Sequence, residues 1–397
     1  MSKTIIKPGQ GWVDMFMEYM DNTEPPDLFK EWVAMTVLSA TMQRKLYFKK
    51  GKYTFFPNLY VILVGPPATR KGTAMAPGRK MLTDIGIIPA ANMTTLQALI
   101  RRLKESTTTT MTSDGRVVLH SSMLIYSTEW SVFTGFNNQE LFTTLNNWFD
   151  CEHPWIYETK GQGVDRVPAV YVTMLGATTP QLLNIALPPE SIGGGFTSRT
   201  IFVIEQEQGK IIPPMDESNK EIALYDTLVE RLQDIHQMAG PFQSTAEFDE
   251  AWADWYLTSR NLDIMPHQSL ESYYGRRFRH LTAMAMGQCV AEGTDQVLEV
   301  RHLERASNLM DRTELKMPQV FRGFGSATSG DVMRNISTML EKYKYLSQRD
   351  ILKNVYGYLE NGMDTFNQIM EVLARAGFLQ IRIKDGTTYY KYLLDDD

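Results

Sequence analysis

Apolar and polar positions along the chain follow first a helical period and then an alternation of strand-like and helix-like segments. Residues 11 to 44 read as two helices, separated by a break at Pro25-Pro26. STTTTMTS (106–113) predicts a loop. Strands that alternate with helices indicate an α/β fold, with a mostly parallel sheet and helices on both faces. The strands are predicted at 59–64, 123–127, 171–175 and 200–204, and helices between them at 71–82 and 94–105.

The remainder of the chain changes character twice. From about 215 to 317 the pattern is wholly helical, and RGFGSATSGD (322–331) is a Gly/Ser linker. Three helical segments then precede LQIRIKDGTTYYKYLL, which alternates on either side of Asp385-Gly386, a hairpin signal. Three helices and a hairpin predict a winged helix.

The first strand, 59–64, runs into GPPATRKGTA, a loop of small residues and cations. A phosphate-binding loop needs a buried strand, a turn whose N–H groups point inward, and a helix N-terminus. Gly65 supplies the turn and Lys71 the cation for the β- and γ-phosphates. The usual pattern is G-x-x-x-x-G-K-[S/T]; here Arg70 replaces the second glycine, and Gly72 replaces the Mg²⁺-binding hydroxyl, leaving Thr73 one place later. The alternative is a strand, turn and helix with incidental cations.

The next three strands also carry polar residues at their ends. MLIYSTEW ends on Glu129, a carboxylate of the kind that orients water in a nucleotide hydrolase, after Thr128 in the usual place of an aspartate. VYVTMLGATTP ends in Thr178-Thr179, and GGGFTSRTIFV carries Arg199 into the fourth strand. Each of these groups alone is more often a solvated residue at a strand end, but their occurrence together in this order favours a nucleotide site.

In this order GPPATRKGTA, LIYSTEW, LGATTP and FTSRTIF resemble the Walker A, Walker B, sensor 1 and arginine-finger motifs of AAA+ ATPases. More narrowly, the chain is similar to minichromosome-maintenance-like helicases and to primase-helicase ATPases of phages and mobile elements, whose loop often reads G-P-x-x-x-R-K-G-T. The resemblance covers 57 to 205 and extends more weakly to 317. It implies an N-terminal helical segment (1–44), a P-loop AAA+ core (45–214), a helical lid (215–321), a linker (322–331) and a winged-helix domain (332–397).

The resemblance also implies roles for single residues. Glu129 would orient water, Thr179 would touch the γ-phosphate, and Arg199 would reach the ATP of a neighbouring subunit. Thr73 and Thr128 are the candidates for holding Mg²⁺. The lid arginine that senses nucleotide would be one of Arg276, Arg277 and Arg279 in YYGRRFRH, a mixture of aromatic and basic residues that also suits nucleic acid. The ATP-binding loop would comprise Gly65, Pro66, Pro67, Ala68, Thr69, Arg70, Lys71, Gly72 and Thr73.

A further segment bears on DNA. PWIYETKGQGVDRVPAVYVTMLG (154–176) places two β-like arms around TKGQG, directly before the sensor 1 strand. In the helicase branch a hairpin at this point projects into the central channel of a hexamer, with a lysine on the DNA backbone, and Lys160 matches that position. An exposed hairpin with a solvated lysine is the alternative.

Composition limits the setting. The net charge is −6, so DNA binding would need a local basic patch. Two cysteines are too few for a disulfide framework, which favours a reducing cytoplasm, that of a bacterium or an infected host cell. MSKTIIKPGQGW has no apolar signal core, and no stretch reaches the roughly 18 apolar residues of a membrane span, so no membrane association is expected.

The sequence therefore predicts a ring-forming, ATP-driven DNA translocase. It would be a replicative helicase of a phage or mobile element, a homo-oligomer such as a hexamer with single-stranded DNA in its channel, and would work with a separate primase. One alternative is an AAA+ loader or switch that remodels a protein partner without unwinding DNA. Another is a nucleotide-binding scaffold with slow turnover. The winged helix could contact DNA or protein.

Overall fold

The computed structural model describes residues 10–112, 115–135, 138–159, 163–187, 191, 194–213, 216–261, 270–293, 295–321, 329–355, 359, 362–384 and 387–393. Over these residues the chain is α/β. It divides into two compact units, one up to Val320 and one from Phe321. None of the helices in these ranges is long and apolar enough to cross a membrane. An AAA+ core with its lid, and a winged helix, stay predictions.

The first unit begins with the two predicted helices, α1 (Trp12–Tyr19) and α2 (Asp27–Met42). Helix α2 is buried along almost its whole length because apolar residues occur on all of its faces. Even Lys30 is buried on it, with its ammonium 3.1 Å from the Asp27 carboxylate. Helix α2 is therefore a central support of this unit.

A five-stranded sheet forms the middle of the unit, in the order β4-β5-β8-β3-β9. Strands β5, β8, β3 and β9 are parallel, and β4 pairs antiparallel at the edge. All four predicted strands and both predicted helices are present. The loop predicted at 106–113 is wrong, because its β-branched threonines pair as a strand. The elements are β3 (Tyr60–Val64), α3 (Lys71–Asp84), α4 (Leu96–Glu105), β4 (Thr107–Met111), β5 (Val117–Ser127), β8 (Val170–Thr178) and β9 (Thr200–Ile204).

Several short elements connect these strands. Between β5 and β8 lie α5 (Trp130–Thr134), α6 (Gln139–Phe149) and a two-stranded antiparallel hairpin, β6 (Trp155–Thr159) with β7 (Gly163–Val167). The two predicted arms at this point are confirmed, whereas Lys160 lies outside the described residues. Between β8 and β9 lie α7 (Pro180–Ala186) and α8 (Gly195–Arg199).

A second, four-stranded sheet has the order β11-β10-β1-β2, with β1 (Leu46–Lys50), β2 (Tyr53–Phe55), β10 (Gly240–Ser244) and β11 (Val297–Leu298). Strands β10 and β11 lie within 215–317, so the prediction of a wholly helical region is wrong. Both strands are short, and β10 pairs with β1, which is far away in the sequence. The pattern of apolar and polar residues near β10 does not reveal that pairing. The helices here are α9 (Asn219–Gln237), α10 (Ala246–Asn261), α11 (Glu271–Glu292) and α12 (Val300–Lys316), followed by a 3₁₀ turn (Met317–Phe321).

The second unit has its own hydrophobic core, with Ile336, Ile351, Phe366 and Tyr390 among its buried members. The three predicted helices and both arms of the predicted hairpin are present, and β12 adds a third antiparallel strand in the order β12-β14-β13. Asp385 and Gly386, the predicted turn, lie outside the described residues. The elements are α13 (Ser329–Tyr343), β12 (Tyr345–Ser347), α14 (Gln348–Val355), α15 (Met363–Arg375), β13 (Leu379–Lys384) and β14 (Thr387–Tyr392).

Candidate functional site

The loop that follows β3 lies at the carboxyl edge of the parallel strands, where open α/β sheets bind ligands. All five residues of β3 are buried, and the Gly65 N–H donates to the Thr178 carbonyl at the end of β8, at 3.3 Å. A Cβ at position 65 would lie 2.6 Å from the Glu205 carbonyl oxygen and 2.7 Å from Thr69 Oγ1. Only glycine fits there, so the loop depends on Gly65 for its close approach to two neighbouring segments.

The backbone of the loop turns through two left-handed residues, Ala68 (φ 69°) and Arg70 (φ 60°). Arg70 is the N-cap residue of α3, and its side chain makes no cap hydrogen bond. The first N–H groups of a helix have no partner within the helix, so the start of α3 offers donors to an anion. The left-handed φ of Arg70 is a physical reason for the glycine of the usual motif at this position.

The Arg70 guanidinium is held by Glu24, with Nε 2.6 Å from the carboxylate. Glu24 lies between α1 and α2, and its carbonyl accepts from the Gly209 N–H at 2.8 Å. The departure from the usual motif thus ties the loop to the N-terminal helices. Sequence reasoning missed this pair, because nothing local connects positions 24 and 70.

Lys71 lies against the loop itself. Its ammonium donates to the carbonyls of Gly65 (2.7 Å) and Pro66 (2.8 Å) and to Thr69 Oγ1 (3.0 Å). Burial lowers the pKa of Lys71, and the Glu129 carboxylate opposes that effect. A half-buried positive charge therefore lies in the loop, with the Glu129 charge close enough to act on it.

Glu129 is positioned by its neighbour Trp130. A Cβ on Gly176 in β8 would lie 2.5 Å from the indole Cδ1, so Trp130 packs onto a strand that must have glycine there. The indole also lies against the rings of Phe142 (5.8 Å) and Phe196 (6.0 Å). Glu129 itself is exposed, and its side chain makes no cap bond to α5. Its carboxylate is therefore presented at the carboxyl edge on an anchored backbone.

Thr179 follows β8 at the same edge. Its Oγ1 accepts from the Leu182 N–H at 3.3 Å and so caps α7. A hydroxyl that accepts one hydrogen bond keeps its own hydrogen for donation. Thr179 can therefore cap the helix and still donate to an anion.

The predicted magnesium residues, Thr73 and Thr128, are both exposed, in the first turn of α3 and directly after β5. Among the described residues, no group of three or more His, Cys, Asp or Glu could hold a metal ion. Mg²⁺ is usually bound through few protein oxygens together with substrate phosphates and water. The hydroxyl oxygens present thus fit a magnesium ion that arrives with a nucleotide rather than a dedicated metal site.

Arg199 lies at the amino ends of the parallel strands, opposite to the loop, which lies at their carboxyl ends. Thr200, the first residue of β9, pairs with Tyr60 at the start of β3, whereas Gly65 follows the end of β3. At roughly 3.3 Å per residue, the six steps along the chain from the level of Arg199 to that of Gly65 span about 20 Å. The Arg199 side chain, bonded to the Gly195 carbonyl at 2.8 Å, cannot contact the loop of its own chain.

Arg199 belongs to a cluster of three arginines around Asp150, the residue directly after α6. The Asp150 carboxylate accepts from Arg199, from Arg279 at 2.7 Å and from Arg276 at 3.1 Å. Burial alone would raise the pKa of Asp150, but the hydrogen bond and the charges of the three arginines lower it below the ordinary value. Three guanidiniums and one carboxylate leave a net charge of +2. Asp150 was not predicted, because a single acid after a helix carries no sequence signal.

The third candidate for the lid arginine, Arg277, has a different position. It is buried, and it donates from Nε (3.0 Å) and Nη2 (2.6 Å) to the Glu314 carboxylate on α12. It also lies 3.4 Å from Asp311. Arg277 thus joins α11 to α12, whereas Arg276 and Arg279 lie with Arg199.

No protein-family model matches the chain, and no curated protein sequence matches it.

Proposed function

We propose that this protein is an ATP hydrolase that assembles with copies of itself into a ring and moves along DNA, as a replicative helicase does. The observation that carries the proposal is the separation of two groups within one chain. The loop with Lys71 and Glu129 lies at the carboxyl ends of the parallel strands, and the Arg199 cluster lies about 20 Å away at their amino ends. Two copies joined head to tail bring the two groups together, and such an interface closes into a ring when the rotation permits.

On the loop side, each residue takes a role from its position at the carboxyl ends of the parallel strands. The loop N–H groups and the start of α3 bind the phosphates, and the Lys71 ammonium neutralises their charge. The Glu129 carboxylate orients the attacking water, and the Thr179 hydroxyl donates to the terminal phosphate. Mg²⁺, held by the phosphates with Thr73 or Thr128, supplies charge neutralisation when it is bound.

On the other side, the neighbouring subunit supplies Arg199 together with Arg276 and Arg279. Their net charge of +2 complements a polyphosphate, and an arginine supplied across an interface stabilises the charge of the transition state. Asp150 keeps the three guanidiniums gathered at one point. The lid arginines would then act on the nucleotide of the adjacent copy and not on that of their own chain.

The DNA part of the proposal rests on the β6–β7 hairpin. Its second arm leads within a few residues into β8, the strand that ends at Thr179. A shift of β8 on hydrolysis would therefore move the hairpin. Lys160, outside the described residues, remains the predicted contact with the DNA backbone, and the second unit remains the predicted winged helix.

The test is ATP hydrolysis by the full chain with and without single-stranded DNA. We expect hydrolysis that DNA stimulates, loss of ATP binding in Lys71→Ala, and retained binding without turnover in Glu129→Gln. Lys80→Ala, an exposed lysine on the same helix, is the matched control and should behave as the parent. Hydrolysis without DNA stimulation would favour the loader or switch, and binding without hydrolysis would favour the scaffold.

A further inference from the structure

A cavity of about 260 Å³ lies beside the outer edge of β5, away from the loop and from Arg199. Strand β4 pairs only with Val117–Ser121 of β5, so the next residues of β5 face other segments. One of these is the chain at 86–90, whose Ala90 N–H donates to the Leu124 carbonyl at 2.8 Å. The cavity opens between this segment, the end of α2 and helix α4.

The lining of the cavity has an apolar part and a polar part. The apolar part comprises Ala40, Ile87, Ile88, Met123 and Leu124, with the ring of Tyr171. The polar part comprises Gln43, Arg102, Ser106, Ser122 and His236. None of the polar members is an acid. Ser106 Oγ already donates to the Leu103 carbonyl at 2.8 Å and His236 Nδ1 to the Thr41 carbonyl at 3.3 Å, whereas the Gln43 amide and further N–H groups of Arg102 remain as donors.

Further basic side chains lie directly behind this lining. Lys45 donates to the His236 carbonyl, and its ammonium lies 3.5 Å from His236 Nδ1. His120 Nδ1 lies 2.9 Å from Ser122 Oγ, which also accepts from the Arg44 N–H at 3.4 Å. Arg44, Lys45, His120 and His236 therefore surround one side of the cavity.

The cations here are Arg44, Lys45 and, in the lining itself, Arg102, and all three are bonded to neutral groups. Arg44 donates to the Cys151 and Val170 carbonyls, and Arg102 to those of Ile88 and Pro89, both at 2.8 Å. Burial lowers the pKa of Lys45 to about 8. Burial, followed by the charges of Lys45, Arg44 and His236, lowers the pKa of His120 to about 4, so His120 is neutral near pH 7. Burial also lowers the pKa of His236, so the positive charge beside the cavity comes from Arg44, Lys45 and Arg102. Buried cations without an acidic partner are costly, and an anion in the cavity would relieve that cost.

We propose that this cavity binds a small organic anion, a phosphate ester whose charged group faces Arg102 and His236 and whose apolar part faces Ile87 and Leu124. The cavity is slightly smaller than the roughly 300 Å³ at which sites for drug-sized ligands begin, so its ligand is smaller than a nucleoside triphosphate. Gln43, Arg102 and Ser122 lie on three separate segments, and donors in three directions suit the three oxygens of a phosphate better than the two of a carboxylate. This site is distinct from the phosphate loop and does not depend on the proposed ATPase function.

The test is isothermal titration calorimetry on the full chain with three probes: phenyl phosphate, inorganic phosphate and benzoate. We expect phenyl phosphate to bind most tightly, and added salt to weaken it. Arg102→Gln and, independently, His236→Gln should each weaken phenyl phosphate at least tenfold. Arg101→Gln, an exposed arginine beside Arg102, is the matched control and should bind as the parent does.

Lys71→Ala serves as a second control, because phenyl phosphate binding that persists without the cation of the phosphate loop takes place at the cavity. A melting curve for each variant verifies folding, and the His236 variant decides the matter if the Arg102 variant does not fold. Tightest binding of benzoate would overturn the choice of phosphate. Binding lost in Lys71→Ala, equal loss in Arg101→Gln and Arg102→Gln, or binding of none of the three probes would overturn the site itself.

Discussion

Arg70 combines a backbone conformation that favours glycine with a side chain that is paired to Glu24. The left-handed φ of a non-glycine residue costs on the order of 1 kcal/mol. The ion pair is partly exposed, with 44% of the arginine side chain accessible, and contributes at most about 1 kcal/mol. The two effects oppose each other at one residue, and substitutions can separate them.

We predict that Arg70→Gly melts at a higher temperature than Arg70→Ala, by about 2 °C. Both variants lose the ion pair, but only glycine also removes the backbone strain. Differential scanning calorimetry of the two variants measures the difference. Glu24→Gln removes the ion pair and keeps Arg70, so it measures the contribution of the pair alone. Equal melting temperatures for Arg70→Gly and Arg70→Ala would show that the backbone at position 70 is not strained.

Two contacts between elements position the candidate site. One is the packing of Trp130 against β8, and the other is the set of ion pairs at Asp150 that connects α6, α8 and α11. In the first, the indole of α5 lies where a side chain on Gly176 would be. In the second, one carboxylate at the end of α6 accepts from arginines on α8 and α11. Each contact leads to a prediction about the element that it positions.

Gly176→Ala should push Trp130 outward and displace Glu129. Overpacking of this kind costs typically 1–3 kcal/mol. We expect ATP hydrolysis to fall at least tenfold while ATP binding changes little, because the loop follows β3 and not α5. Turnover and nucleotide affinity measured on one preparation test this. Gly275→Ala, where an added Cβ meets nothing within 4 Å, is the control. If Gly176→Ala hydrolyses ATP as fast as the parent, the packing of Trp130 on Gly176 does not position Glu129.

Asp150→Asn should destabilise the first unit by about 1–3 kcal/mol, because three guanidiniums then lie together without a counter-charge. Sulfate should restore part of the loss, since a divalent anion can replace the carboxylate. Thermal melting in chloride and in sulfate at equal ionic strength measures both effects. Asp311→Asn removes an exposed partner of Arg277 and should cost less. A loss as large in that control, or one that sulfate does not change, would contradict this account.

The sequence predicted the elements with strong local patterns, including α2, the four parallel strands and the arms of both hairpins. It could not predict β10, whose pairing partner lies far away in the chain, or β4, whose run of threonines reads equally as a polar loop. In the candidate site, the small residues and cations of the loop are local and were recognised. Asp150 and Glu24 were not, because each acquires its partners only through folding.

At the scale of the whole molecule, the proposed assembly places every active site between two copies. Arg199→Ala and Lys71→Ala should each be inactive alone, since the arginine contributes on the order of 10³–10⁵ in rate. When equal amounts are mixed, about a quarter of head-to-tail interfaces contain both intact groups, so activity should return. ATPase assays on the two variants and their mixture test this, with Arg101→Ala replacing Arg199→Ala as control. Full activity of Arg199→Ala as a monomer would end the ring proposal.

The placement of the loop and the Arg199 cluster at opposite edges of one sheet also has an arithmetic consequence. A single chain would contain two halves of an active site but no complete active site. An open row of copies would always be one site short of its number of chains, and closure would add the missing site without adding a chain. ATPase activity per chain would therefore rise steeply with protein concentration and would rise again when the ring closes. The number of active sites per chain would thus distinguish a closed ring from an open row of copies.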